Sequence, residues 1–308
     1  MRYGRRMIWL VPSSFVILLG LYTGICWLVL SILITPERIT PVKKPAELGF
    51  TDIRELSFKS TTDGVTLWAW FVPAKGERAI ILIHGIHNNA WGCQTPDYVQ
   101  AYRQAGFDVF LFDLRGHGQS GGDQFGLGLL EQNDVRDAVE LLIEQGFKPG
   151  YIGIHGTSYG ASIALLATAQ IDEIAAVIAD SAFANIRDVI GGELKRQTDL
   201  PSAFAEILLP GLRLLGLMIY SLDIDESAPE NVIGRISPRP ILLIHGTEDT
   251  VIPYEHAKRL KAAGGAPTEL WSIPGNHTPG VRLNCDTISP MRADYLKNIT
   301  EFFKRYLN

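Results

Sequence analysis

Gly156-Thr157-Ser158-Tyr159-Gly160 places a serine between two glycines, directly after the apolar run Tyr151-Ile152-Gly153-Ile154-His155 and directly before the helix-forming stretch Ala161-Ser162-Ile163-Ala164-Leu165-Leu166. A strand, a sharp turn and a helix push the serine hydroxyl into the open. The two glycines are needed because a side chain at either flank would collide with the neighbouring element. The N-terminus of the following helix favours developing negative charge beside the serine. A serine hydroxyl attacks a carbonyl only when a base removes its proton, and the base is usually held by a carboxylate.

Seven histidines could supply that base. His84, His155 and His245 each close an apolar run before glycine, His87 and His117 fall in the first two crossover loops, and His256 lies in a helix. His277 remains, in the loop Pro274-Gly275-Asn276-His277-Thr278-Pro279 after the last strand, where a side chain can reach over the serine. The carboxylate is expected after the preceding strand, where Glu248 and Asp249 stand side by side. Asp249 is preferred because Glu248 points to the opposite side of an extended backbone; Asp180, at the end of Ile174–Asp180, is the rival acid. The order Ser158, Asp249, His277 is the Ser, acid, His order of this architecture. Two backbone N–H groups are enough to hold an oxyanion. Those of Tyr159 and of Ile86, which follows the flexible Gly85, are the candidates, with His87 one residue further on.

These residues need a scaffold that brings strand ends together. Two alternating runs, at 53–60 and 65–73, flank Asp63-Gly64, a strong hairpin signal. Six further β-branched runs alternate with helical stretches, which predicts an α/β fold: a mostly parallel eight-stranded sheet with helices on both faces and an antiparallel hairpin at its start. After Asp180 the rhythm breaks, and a helical insertion at about 185–235 reads as a lid. Its apolar stretch around Leu208, Leu209, Leu212, Leu215, Leu217, Met218 and Ile219 would suit an acyl substrate. The same residues could instead pack the insertion on the sheet or dip into a bilayer. Pro210-Gly211 is expected to break any single long helix there.

Ahead of this body lies a different kind of sequence. Met7 to Ile34 is 28 residues without a charge, and ~20 suffice to span a membrane. The run is apolar all round, too long for the h-region of a cleaved signal peptide, and reads as a signal anchor at 7–34. It follows a basic N-terminus at 1–6 and precedes a proline-containing linker at 35–50; the body occupies 51–308. Arg2, Arg5 and Arg6 against Arg38, Lys43 and Lys44 favour, by a small margin, the body outside the cytoplasm. Residues 37–308 carry 25 Lys and Arg against 33 Asp and Glu, which excludes a nucleic-acid partner on electrostatic grounds. Cys26 lies in the apolar run, and Cys93 and Cys285 are too few for a disulfide framework.

The body resembles the α/β-hydrolases over roughly residues 50–307. The motifs that carry the likeness are Gly156-Thr157-Ser158-Tyr159-Gly160, His84-Gly85, the segment from Asp113 to Gly121 and His245-Gly246-Thr247-Glu248-Asp249. The resemblance is closest to the prolyl-oligopeptidase-like and dienelactone-hydrolase-like branch and to membrane-tethered α/β-hydrolase-domain proteins that cleave acyl esters and thioesters. It implies a serine hydrolase with no cofactor and no metal, a small-molecule or acyl-bearing substrate, and a structural role for His117 and Ser120. Ile86-His87-Asn88-Asn89 departs from the small residues frequent there. A serine peptidase, an acyltransferase or haloperoxidase with the same residues, and a non-catalytic binding protein that keeps the fold are the alternatives.

Overall fold

The computed structural model describes residues 3–41, 43–198 and 203–307. Within them, eight strands form a single sheet in the order β1-β2-β4-β3-β5-β6-β7-β8. β1 (Arg54–Lys59) and β2 (Thr66–Val72) form the antiparallel hairpin, with Lys59 opposite Thr66, and β2 also runs antiparallel to β4. The six strands β3 (Ala79–Ile83), β4 (Asp108–Phe112), β5 (Ile152–Thr157), β6 (Ile174–Asp180), β7 (Ile241–Gly246) and β8 (Thr268–Ile273) are mutually parallel. β3, β4 and β7 are buried at every position, which is why they read as unbroken apolar runs instead of alternating ones.

Successive side chains on these strands feed two separate cores. Ile81, Ile83, Phe110 and Phe112 face α3 (Glu131–Glu144) and α4 (Tyr159–Thr168) through Val135, Ala138, Ala161 and Leu165. Ile80, Leu82, Val109 and Leu111 face α2 (Thr95–Gln104) and α9 (Arg292–Tyr306) through Val99, Tyr102, Ile299 and Phe303. The period of two on the strands and the three- and four-residue spacing on the helices meet at each interface. α8 (Glu255–Ala263) packs beside β7 and β8. Strand order reverses around β3, whose neighbours are β4 and β5; at such a switch point the crossovers leave on opposite faces and open a crevice at the carboxyl ends.

Between β6 and β7 the chain forms α5 (Arg187–Thr198), α6 (Ala203–Tyr220) and the short α7 (Pro229–Val232). Pro210-Gly211 does not break α6: the helix runs through it. The reason lies in α1 (Tyr3–Ile34). The hydroxyl of Tyr22 accepts the Gly211 N–H at 3.2 Å and donates to the Ile207 carbonyl at 3.0 Å, so it bridges the donor and acceptor that a regular turn would join directly. One turn on, the Cys26 thiol reaches the Leu208 carbonyl at 3.8 Å. The backbone groups disturbed by proline are satisfied by a neighbouring helix.

α1 is also less uniform than its sequence. Cys26, Val29, Leu30, Leu33 and Ile34 are buried, at the three- and four-residue spacing of one helix face, whereas Phe15, Ile17, Leu18 and Leu21 are exposed. Residues 14–34 are long and apolar enough to cross a membrane. Its C-terminal end is tied down by the Phe125 N–H on the Ile34 carbonyl at 2.9 Å and by Arg38, whose guanidinium donates to the Ser120 carbonyl at 2.6 Å.

Candidate active site

Ser158 joins β5 to α4 with φ 55° and ψ −122°, a conformation L-residues rarely adopt. The flanking glycines hold it there for steric reasons. A Cβ on Gly156 would lie 2.1 Å from the Gly160 carbonyl oxygen, and one on Gly160 would lie 2.4 Å from the carbonyl oxygens of both Ile83 and His84. The turn is thus pressed against the end of β3. The Ser158 N–H donates to the Asp180 carbonyl at 2.7 Å, which registers the turn on β6.

His277 Nε2 lies 2.7 Å from Ser158 Oγ, and its Nδ1 lies 2.7 Å from Asp249 Oδ2. The other carboxylate oxygen of Asp249 accepts the N–H groups of Val251 at 2.9 Å and Ile252 at 2.8 Å. Burial alone would raise this carboxyl, but the hydrogen bonds of His245 and His277 outweigh it and hold the group well below the usual carboxylate range. Asp249 therefore stays ionised and selects the tautomer in which Nδ1 of His277 carries the proton, leaving Nε2 to accept from Ser158. Glu248 is exposed beside it.

Asp180, the rival acid, is engaged elsewhere. It accepts the Tyr295 hydroxyl at 2.7 Å and the Ser181 hydroxyl at 3.0 Å. Burial raises its carboxyl. The remaining histidines also have structural partners: His245 Nε2 sits 2.8 Å from the Ile252 carbonyl and 3.4 Å from Asp249, and His256 Nδ1 accepts the Ala184 N–H at 3.1 Å. Ser120 donates to the Asp113 carbonyl at 2.6 Å and accepts the Trp68 N–H at 2.8 Å, a loop-fixing role.

The N–H groups of Tyr159 and Ile86 meet no acceptor among the described residues, and both residues line the cavity that contains Ser158. A Cβ at Gly85 would lie 3.1 Å from Ser158 Cβ, so the backbone before Ile86 passes directly over the serine. His84 fixes that backbone. Burial lowers its imidazole to about 4, so near neutral pH it is uncharged; Nε2 accepts the Leu114 N–H at 3.0 Å and Nδ1–H donates to the Gly85 carbonyl at 2.7 Å. In a trans peptide C=O and N–H point in opposite directions, so the bond that holds the Gly85 carbonyl also sets the direction of the Ile86 N–H.

Three supports escaped the sequence reading. Asn276 Oδ1 accepts the N–H of His277 and of Thr250, each at 2.9 Å, and so joins the loop of His277 to the loop of Asp249. Ser181 Oγ accepts the Thr278 N–H at 3.1 Å. Leu30, Leu33 and Ile34 of α1 line the same cavity as Ser158, with Phe125, Leu127, Phe183, Ile186, Ile190, Leu212 and Ile224. Only an asparagine beside the histidine could have hinted at the first; an apolar helix that ends at Ile34, far upstream of Ser158, carries no local sign of the last.

Residues 80–281 match the profile of the alpha/beta hydrolase family. Over 256 residues the chain is 30% identical to the protein YfhR of Escherichia coli K12, covering 80% of this chain and 79% of the relative. It is 31% identical to YqkD of Bacillus subtilis over 238 residues, 74% of each chain. The lysophosphatidylserine lipase ABHD12 of Danio rerio is 30% identical over 188 residues, 59% of this chain and 46% of that one. Among solved structures, the esterase Pf2001 of Pyrococcus furiosus superposes with a TM-score of 0.71 at 23% identity, covering 89% of this chain and all of that one, a likeness of fold. The chain belongs to the alpha/beta hydrolase family.

Proposed function

We propose that the protein is a membrane-anchored serine hydrolase that cleaves a carboxylic ester or thioester through an acyl-Ser158 intermediate. The observation that carries this reading is the continuous line of contacts from Ser158 Oγ through His277 to Asp249, 2.7 Å at each step, at a serine held in a strained turn. In the first half of the reaction His277 Nε2 takes the Ser158 proton as Oγ attacks the acyl carbonyl, and the oxyanion that forms is met by the N–H groups of Tyr159 and Ile86. The bond to the leaving group then breaks as His277 returns the proton to it. In the second half His277 deprotonates a water, which attacks the acyl-enzyme; the acid leaves and Ser158 recovers its proton. Asp249 remains ionised and supports the imidazolium.

The same reading divides the chain into an anchor at 7–34, a linker at 35–50 and a catalytic body at 51–308, with α5 and α6 as the lid within about 185–235. The test is labelling of the detergent-solubilised full chain with a fluorophosphonate, with the adduct located by peptide mass. Labelling at Ser158 that disappears in Ser158→Ala and His277→Ala is the expected result. A folded parent that takes no label would overturn the assignment.

A further inference from the structure

Twenty apolar residues suffice to cross a hydrocarbon core of about 30 Å, so a run of 28 uncharged residues leaves roughly eight to spare. The surplus is the end that reaches the cavity. Counted from Met7, the first twenty residues end at Cys26, and the buried positions Val29, Leu30, Leu33 and Ile34 all follow it. They do not merely pack on the body: Leu30, Leu33 and Ile34 form wall of the cavity that holds Ser158. The path from that wall to the nucleophile is short. Ile34 receives the Phe125 N–H, the Phe125 ring lies 5.3 Å from the Tyr159 ring, and Tyr159 is the residue after Ser158.

Ile190 of α5, Leu212 of α6 and Ile224 line the same cavity. α6 is clamped to α1 by the Tyr22 bridge and by close approach, since a Cβ at Gly211 would lie 2.4 Å from Cys26 Sγ. Its other face is apolar and bare: Phe204, Ile207, Leu214 and Met218, on one side of the helix by a period of 3.6, are 47%, 63%, 54% and 72% exposed. An apolar row of this kind beside a helix that leaves the bilayer belongs at the level of the acyl chains. The cavity, about 270 Å³, is close to the lower end of the range for ligand sites.

We infer that the substrate is a long-chain acyl ester resident in the bilayer, whose hydrocarbon tail leaves the leaflet beside the bare face of α6 and lies against Leu30, Leu33, Ile34 and Leu212 while its carbonyl reaches Ser158. α1 is then one wall of the acyl site as well as an anchor. This assignment rests on the serine-hydrolase reading above and adds the substrate class and the direction from which it arrives.

The test uses the full chain reconstituted in dioleoylphosphatidylcholine vesicles, with 4-methylumbelliferyl palmitate and acetate as probes and fluorophosphonate labelling of Ser158 in parallel. The parent is expected to prefer palmitate over acetate in kcat/KM. Leu33→Trp, which fills the cavity from the α1 side, should lower the palmitate-to-acetate ratio at least tenfold; Leu33→Ala, which leaves the fold unstressed by added volume, should also shift the ratio, by about threefold or more. Ile207→Asp with Met218→Asp should raise the KM for palmitate in vesicles at least fivefold, because two carboxylates would have to enter the leaflet. A labelled parent with no preference for palmitate, or ratios within twofold of the parent in both Leu33 variants, overturns the acyl-site assignment. Unchanged KM in the double aspartate variant overturns access from the leaflet. Absence of labelling in the parent overturns instead the hydrolase reading on which both depend.

Discussion

The floor and the roof of the cleft are built by different means. On the floor, Ser158, His277, Asp249 and the Gly85-Ile86 peptide sit on loops at the ends of parallel strands. Each is fixed by short hydrogen bonds: Ser158 and His277 donate their N–H groups to the Asp180 carbonyl and Asn276 Oδ1, Asp249 accepts those of Val251 and Ile252, and the Gly85 carbonyl accepts from His84. On the roof, α1, α5 and α6 meet mainly through apolar side chains, with the Tyr22 bridge and the Cys26 contact as backbone-directed links. A reacting group needs its geometry held to a fraction of an ångström, which directional bonds on a rigid sheet provide. A wall for hydrocarbon needs shape and dryness, which non-directional packing provides. Directional bonds and apolar packing thereby shape separate parts of the same cleft.

The largest expected effect lies on the floor. Ser158→Ala and His277→Ala should each lower kcat for ester hydrolysis by about 10⁴-fold or more, measured at saturating substrate, with the fold retained by circular dichroism. An effect of less than tenfold in either would break the distinction, because the floor would not then carry the chemistry.

Next comes a buried ion pair away from the cleft, between the hairpin and α3. Arg115 is buried against Asp134, with Nε and one terminal nitrogen each 2.7 Å from its carboxylate oxygens, and also meets Asp63 at 2.7 Å. Arg115→Met leaves the Asp134 carboxylate, itself fully buried, without its cation. A loss of about 3–5 kcal/mol in unfolding free energy is expected, read from urea titrations of the solubilised chain.

A smaller change is expected in the roof. Gly211→Val would drive side-chain atoms into Cys26 and Tyr22, separating α1 from α6 at a cost of about 1–3 kcal/mol. Increased proteolysis of the 203–220 segment, with the body still resistant, would be its signature. Equal loss of protection throughout the body would show that roof and floor unfold as one unit.

The smallest is a pH effect. The fold prefers neutral His84, whose imidazole is lowered to about 4 from an ordinary 6.5. Below pH 6.5 the unfolded chain takes up a proton that the folded chain refuses, so this contribution is complete above about pH 6.5 and fades as the pH falls toward 4. By pH 5.5 about 1.4 kcal/mol of it is lost. His84→Gln should reduce the difference in urea midpoint between pH 7 and pH 5.5; an unchanged difference would remove His84 from the account.

Much of the floor was legible in the residues. The turn at Ser158 declares itself because its glycines, the strand before it and the helix after it lie within about fifteen consecutive residues. Parallel strands buried on both faces announce themselves as short apolar runs. Asp249 was chosen over Glu248 by the alternation of an extended backbone; the two are buried and exposed respectively, but the strand ends at Gly246 and a turn, with the Asp249 N–H on the Gly246 carbonyl at 3.3 Å, sets their directions. α6 was not legible. Its proline and glycine argue for a break when the segment is taken alone, and only the hydroxyl of Tyr22, 189 residues away from Gly211, supplies the missing hydrogen bonds.

α1 marks the same boundary from the other side. Its length and lack of charge already define an apolar helix capable of crossing a bilayer, because those properties are summed along a contiguous segment. That one end of it lines the cavity containing Ser158 depends on where the chain returns after the sheet is complete. The sequence by itself determined the local turn at Ser158, the strand and helix rhythm, and which loops could bear the base and the acid. The tertiary structure alone decided the meeting of Ser158 with His277 across 119 residues, the repair of α6 and the wall made by Leu30, Leu33 and Ile34. Periodicity and turn chemistry act between neighbours in the chain, whereas these contacts exist only between surfaces that folding brings together.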